Sequence, residues 1–314
     1  MSGSHTHKTC MSEAVLTLIA GAKGIAEWPR VLRTARGALE PLGAHLDPAD
    51  WLAAEQAVDL GFEGVDPDQA EAAVRLALGR DMGDLPLDLV AQPRQGRRKR
   101  LLVADMESTI IANEMLDELA DILGLGSRIS EVTRRAMNGE IDFAAALRER
   151  VALLGGFPAS ALEEAAQRIR INPGAAELVA TMRKSGAYTA LVSGGFRTFT
   201  RLVKAKLGFD VEIANELVIS GSRIAGSVQE PILGGDAKLQ MMNALAADRR
   251  LTLADTLAVG DGANDLSMLE AAGLGVAYHA KPIALEHARH RIHHSDLRAL
   301  LYAQGYREAE ILRG

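Results

Sequence analysis

The sequence predicts an α/β protein, a Rossmann-like core on a parallel sheet with a helical insertion, preceded by a small α+β unit. Three apolar runs carry the prediction: Leu101–Ala104 (LLVA), Tyr188–Val192 and Thr256–Val259 end at Asp105, Ser193 and Gly260-Asp261 respectively. Compact runs of this kind read as buried parallel strands, and open α/β sheets gather their ligands outside the carboxyl ends of such strands. Between the first two runs, over about 113–173, the apolar residues recur at helical spacing, as in Ile129–Met137 and Phe143–Leu154.

The elements follow in order. Residues 1–10 are polar, carry His5 and His7, and lack the basic-then-apolar order of a secretory signal, so a disordered leader is expected. Over 11–92 the pattern predicts a strand at Ala14–Ala20 (AVLTLIA), a helix at Glu27–Leu42 and a strand at Ala53–Phe62. A helix at Asp68–Leu78 and an extended piece at Leu85–Gln92 complete that unit. Pro93–Arg100 (PRQGRRKR) holds a proline, a glycine and five basic residues, which mark a linker over 93–100. Such basic runs are ordinarily solvated surface. The core then spans 101–314, with the helical insertion as the natural lid.

Bulk properties narrow the function. At 314 residues, 48% hydrophobic and 24% charged, the chain is long enough for two domains. A net charge of -6 argues against nucleic-acid binding, which needs a basic surface, and favours a small-molecule substrate. One cysteine, Cys10, makes no internal disulfide and no cysteine metal cluster, so a cytoplasmic setting is expected. No apolar run approaches the roughly 18 residues of a membrane span.

Four motifs sit at or near the strand ends. Asp105-Met106-Glu107-Ser108-Thr109 sets two carboxylates two residues apart: one suits a nucleophile, the other a proton donor and then base, although Asp105 and Thr109 also make good helix caps. Ser193-Gly194-Gly195-Phe196 offers a hydroxyl and close-approach amides to an anion, or simply a turn. Lys238, early in a helical stretch, neutralises a phosphoryl oxygen or is one more solvated lysine. Gly260-Asp261-Gly262-Ala263-Asn264-Asp265 collects hard oxygen ligands of the kind that hold magnesium. Dinucleotide binding is disfavoured there, because Asp265 stands where the third glycine belongs and repels a pyrophosphate. Among His287, His290, His293 and His294, two have helical ligand spacing, but no acidic partners accompany them, and all four are expected at the surface.

Taken in order, these motifs resemble those of the haloacid-dehalogenase-like (HAD) phosphatase superfamily, and within it the insertion is similar to the cap of phosphoserine phosphatases. The closest segments are DMESTII-ANEMLDELAD, AMNGEIDFAAALRERVALL, LVSGGF and VGDGANDLSML. The resemblance implies Asp105 as nucleophile, Glu107 as acid-base, and Ser193, Gly194 and Lys238 on the phosphate. It implies magnesium on Asp105, Asp261, Asp265 and the main chain of Glu107, with Asn264 completing the pocket. Glu114 and Arg150 then take the ammonium and carboxylate of phosphoserine, with Met137 and Phe143 as apolar lid contacts. The implied reaction is hydrolysis of phosphoserine, the last step of serine biosynthesis. Alternatives are the same chemistry on another phosphomonoester, phosphoryl transfer to an acceptor, or a catalytically silenced amino-acid-binding regulator. The pattern normally has aspartate where this chain has Glu107, one methylene longer, which puts reach and rate in question. The unit over 11–92 resembles ACT-like regulatory domains in its strand-helix order. The expected partner is the small-molecule substrate, with room for a homo-oligomer.

Overall fold

The computed structural model describes residues 13–137 and 140–313, and the expected leader over 1–10 lies outside them. Among the described residues two compact units emerge: residues 13–97 with Tyr302–Ala309, and residues 98–301 with 310–313. The return of Tyr302–Ala309 to the first unit has no signal in the linear order of the chain.

The first unit runs β1 (Ala14–Ala20), α1 (Trp28–Leu39), β2 (His45–Leu46), β3 (Asp50–Ala53), β4 (Ala57–Glu63), α2 (Pro67–Met82) and β5 (Leu87–Pro93). β1 pairs antiparallel with both β4 and β5, while β2 and β3 pair with β4. Val31, Ala35 and Leu39 on α1, like Ala70, Val74 and Leu78 on α2, recur every four residues and bury one helix face against Leu16, Leu18, Leu60 and Leu89. Asp66 caps α2 by accepting the main-chain N–H groups of Asp68 and Gln69.

Two expectations need correction. Ala53–Phe62 is not one strand: Glu55 takes φ 57° in a turn that separates β3 from β4. Nor is the basic run simply solvated. Arg97 pairs with the buried Asp59 at 2.7 Å, and Arg94 with Asp47 at 2.6 Å. Within the second unit Arg98 pairs with Glu310 at 2.9 Å, and Lys99 Nζ donates to the Ala254 carbonyl at 2.9 Å.

The second unit begins with β6 (Leu101–Ala104), followed by four helices, α3 (Met115–Ile122), α4 (Gly126–Met137), α5 (Phe143–Ala152) and α6 (Ser160–Gln167). Then come α7 (Ala175–Lys184), β7 (Tyr188–Phe196), α8 (Arg197–Leu207), β8 (Val211–Asn215), β9 (Leu217–Ser220), β10 (Arg223–Val228) and α9 (Gly235–Asp248). β11 (Thr256–Gly260), α10 (Leu266–Ala271), β12 (Leu274–Tyr278), α11 (Pro282–His287) and β13 (His290–Ile292) complete the sheet and its helices. All strands of the order β13-β12-β11-β6-β7-β8 are parallel. The chain leaves β6 toward β7 and β8, then returns to lay β11, β12 and β13 on the other side, so the strand order reverses between β6 and β11. A crevice opens at such a reversal, outside the carboxyl ends of the strands.

The hairpin β9–β10 belongs with α3–α6 although it comes later in sequence. Gly156 N–H donates to the Ile224 carbonyl at 2.9 Å and Ala159 N–H to that of Ser222 at 2.8 Å. Gly226 takes φ 79° at this seam, and a Cβ there would also crowd the Gly155 Cα at 3.0 Å. Among the described residues no helix is long and apolar enough to cross a membrane.

Candidate active site

β6 is buried along its whole length and delivers Asp105, 5% exposed, into the crevice. The Asp105 N–H donates to the Val259 carbonyl of β11 at 2.9 Å, which ties the residue to the neighbouring strand. Its Oδ1 accepts from the Met106 N–H (2.7 Å) and pairs with Lys238 Nζ (2.8 Å), and among the described residues Oδ2 accepts no hydrogen bond. Lys238, in the first turn of α9 and buried, also reaches Asp265 Oδ1 at 2.6 Å. The other oxygen of Asp265 accepts the main-chain N–H groups of Asp261 (3.1 Å) and Gly262 (3.0 Å). Residue 260 must be glycine for this, because a Cβ there would lie 2.3 Å from the Asp265 carboxyl carbon. Oxygens of Asp105, Asp261 and Asp265 all fall within 4.8 Å of one another.

Buried charge makes this cluster strongly perturbed. Burial raises the Asp105 carboxyl well above its ordinary range, helped by Asp265 and opposed by Lys238. Burial also raises Asp261, against the pull of the Lys281 ammonium. For Lys238 burial acts downward, but Asp105 and Asp265 outweigh it and hold the ammonium more firmly protonated than usual. Three buried carboxylates set against one buried ammonium leave a net negative, oxygen-only donor set, which suits a hard divalent cation.

After Asp105 the chain turns sharply. Glu107 is extended (φ -71°, ψ 139°) and Ser108 follows at φ 55°. The Glu107 Oε1 accepts the Met115 N–H at 2.8 Å, and its Oε2 lies over the turn at the end of β7, 2.5 Å from where a Cβ on Gly195 would stand. Burial, with repulsion from Glu114, pushes Glu107 up to about 7. Ser193, buried, accepts the Gly195 N–H at Oγ (2.9 Å).

The insertion faces the same place. Glu114 precedes α3, and its Oε1 accepts from Ser108 Oγ at 2.7 Å and pairs with Lys281 Nζ at 3.2 Å. Half-buried Arg150 on α5 donates through Nε to the Ala146 carbonyl at 3.2 Å, and among the described residues no carboxylate pairs with it. Burial lowers its pKa, against the charges of Asp117, Glu107 and Glu114. The Phe143 ring lies against the β7 turn, its Cζ 2.9 Å from a Cβ built on Gly194. Asn264 follows Asp261 in the acidic turn with Oδ1 beside Gly262, 2.6 Å from a Cβ built there. Met137 ends α4, and its side chain lies outside the described residues.

Residues 102–270, more than half of the chain, match the haloacid dehalogenase-like hydrolase family. The chain belongs to the haloacid dehalogenase-like hydrolases. A phosphoserine phosphatase from Archaeoglobus fulgidus is 44% identical over 222 residues, which cover 70% of this chain and 64% of that protein. The chain thus spans just under two thirds of that relative's length. A crystal structure of a HAD family hydrolase from Salmonella enterica serovar Typhi aligns with TM-score 0.80 at 27% identity, covering 93% of this chain and 98% of that one. A structure of a phospho-aspartyl intermediate analogue of phosphoserine phosphatase aligns with TM-score 0.61 at 39% identity, covering 65% of this chain and 98% of that one.

Within this hydrolase unit the fold gathers Asp105, Glu107, Lys238, Asp261 and Asp265 on one crevice, and brings Ser193, Gly194, Phe143, Glu114 and Arg150 around it. Lys281 is the residue that sequence reasoning missed. Its Nζ lies 3.0 Å from Asp261 Oδ2 and 3.2 Å from Glu114 Oε1. The available signal was a lysine directly before Pro282, a proline placed to start a helix. The histidines need a correction as well, since His290 sits on β13 and is 3% exposed.

Proposed function

We propose that the chain hydrolyses O-phosphoserine to serine and phosphate through a phospho-aspartate on Asp105, with magnesium as cofactor. The observation that carries this reading is the meeting of two sets of groups at one crevice. On the core side stand Asp105, Lys238 and Glu107; on the insertion side stand Arg150, which has no carboxylate partner among the described residues, and Glu114. A guanidinium fork matches a carboxylate and a carboxylate matches an ammonium, so the second set reads an amino acid while the first handles its phosphate. The phosphoserine phosphatases among the relatives and solved structures support the same substrate.

The donor set of the cluster fits magnesium. Asp105, Asp261, Asp265 and the main chain of Glu107 would hold the ion, which when bound supplies positive charge to the phosphoryl oxygens. The remaining work falls to this chain's own residues. Oδ2 of Asp105 attacks phosphorus in line, and the bond from phosphorus to the serine oxygen breaks. Glu107 gives its proton to that departing oxygen. It then takes a proton from the water that attacks the phospho-aspartate, and the bond from Asp105 to phosphorus breaks to release phosphate. Lys238 offsets charge on the phosphoryl group, with Ser193 and the Gly194 amide as further donors, and Asn264 borders the pocket.

In this reading helices α3–α6 with the β9–β10 hairpin act as a cap that excludes water, and Phe143 lines its apolar side. The first unit is an ACT-like regulatory domain, a reading supported by its two helices and antiparallel sheet in the order βαβββαβ; its bounds are taken as 11–92, with a linker over 93–100 and the phosphatase domain from 101. The reaction closes serine biosynthesis in the cytoplasm. Phosphate release from a panel of phospho-amino acids and sugar phosphates, with and without magnesium, tests the proposal. Magnesium-dependent preference for phosphoserine is expected, and a preference for sugar phosphates, or no turnover with intact amino-acid binding, overturns it.

A further inference from the structure

Glu114 and Asp261 come from distant parts of the chain, yet one ammonium holds both. Lys281 Nζ lies 3.2 Å from Glu114 Oε1 and 3.0 Å from Asp261 Oδ2. The lysine is itself well anchored. Its main-chain N–H donates to the Asp261 carbonyl at 2.8 Å, and Pro282 follows as the first residue of α11. Ser108, at φ 55°, aims its hydroxyl at the same Glu114 oxygen, 2.7 Å away. Oε1 of Glu114 is therefore gripped from two sides, and among the described residues Oε2 accepts no hydrogen bond.

We infer that Lys281 is a positioning residue for amino-group recognition: it pins one oxygen of Glu114 against the acidic cluster, with Ser108, and leaves the other oxygen to the substrate's ammonium. This rests on the phosphoserine reading and adds the device that orients the ammonium receptor relative to the reacting centre. A glutamate held at one oxygen keeps a single rotamer and does not swing to Arg150, whose charge acts on the same pocket. Since the Lys281 side chain is 54% exposed, solvent screens the pair and the effect is moderate.

The test is a double-mutant cycle on the holoenzyme at saturating magnesium, with phosphoserine and its deamino analogue, 3-phosphonooxypropanoate, as paired substrates. Lys281→Met is expected to lower the preference for phosphoserine about 2- to 5-fold, chiefly through KM. In a Glu114→Gln background the same change should leave that preference where Glu114→Gln alone puts it, because the residue through which Lys281 acts is already lost. Lys281→Arg should restore most of the preference. Equal losses on both substrates, or additive effects in the cycle, overturn the inference and leave Lys281 acting through Asp261 only. If the unsubstituted enzyme hydrolyses both substrates equally well, the phosphoserine reading itself fails, and that result precedes any variant.

Discussion

Replacing Glu107 with glutamine isolates the acid-base step proposed for it from everything else the residue does. Glutamine keeps an oxygen for the Met115 N–H, 2.8 Å away in the structure, and nearly the same volume over Gly195, so the turn after β6 should persist. What it loses is proton transfer, a contribution of about 100- to 10,000-fold. The surroundings favour the upper part of that range. Lys238 is bound to both Asp105 and Asp265, and both oxygens of Asp265 are engaged, so neither neighbour is free to take over the proton. The loss should depend on the leaving group. The aryloxide of an aryl phosphate departs without a proton, so Asp105 should still be phosphorylated quickly, while activation of water for the second step stays impaired. Rapid quench of Glu107→Gln with an aryl phosphate should then show a burst followed by a slow steady state, and phosphoserine should show no burst. Turnover of phosphoserine at the rate of the unsubstituted enzyme would remove Glu107 from the chemistry.

Other consequences are open to simpler assays. Excess chelator should abolish phosphate release and added magnesium restore it, and calcium should inhibit because its larger, more flexible shell suits the attack poorly; undiminished turnover in chelator would count against the acidic cluster as a cation site. Arg150→Ala should raise the KM for phosphoserine ~30-fold, equivalent to about 2 kcal/mol for a charge-assisted bond, with much less effect on phosphoethanolamine, which lacks the carboxylate. Equal losses on the two esters would assign Arg150 to the stability of α5 instead. Gly195→Ala puts a Cβ 2.5 Å from Glu107 Oε2, so the carboxyl must move. A shift of about 1 Å costs roughly 100-fold in kcat, measured beside an unchanged thermal midpoint. Asp105→Asn should be more damaging than any of these in a steady-state assay, because it removes the proposed nucleophile.

Which parts of this site were legible in the chain follows from the range of the interactions involved. LLVA followed by Asp105, and the apolar run ending at Gly260-Asp261, are local signals. Burial on both faces of a parallel strand demands an unbroken apolar run, and the polar residue after it must emerge at the sheet's carboxyl end. The β9–β10 hairpin gave no comparable signal. Its strands are short, and Gly226 is explained by its positive φ and its approach to Gly155 in another part of the sequence. Likewise the turn at Glu55 divides what reads as one apolar stretch, and nothing in the residue type announces a positive φ there. Glu114 and Arg150 were marked by family resemblance alone, since an acid before a helix and an arginine on one are ordinary surface features. Lys281 lay beyond both kinds of signal, because its two carboxylate partners are 20 and 167 positions away.

Glu107 brings the two kinds of signal together. As a departure from the aspartate of the family pattern, it raises the question of where an extra methylene goes, and no local rule answers it. The structure answers with two backbone features. Ser108 at φ 55° turns the chain so that Met115 N–H meets one carboxyl oxygen, and the missing side chain of Gly195 leaves space for the other. Glu107→Asp is therefore not a return to a better residue. An aspartate at 107 falls short of the Met115 N–H by about one C–C bond, ~1.5 Å at the geometry of this turn. A misplacement of that size costs roughly 100-fold. Hence Glu107→Asp should lower kcat on phosphoserine while leaving KM, assigned in the proposed reading to Glu114 and Arg150, nearly unchanged. A kcat at or above that of the unsubstituted enzyme would mean that the turn relaxes to accept the shorter side chain, and that the Met115 contact does not hold the acid-base group in place.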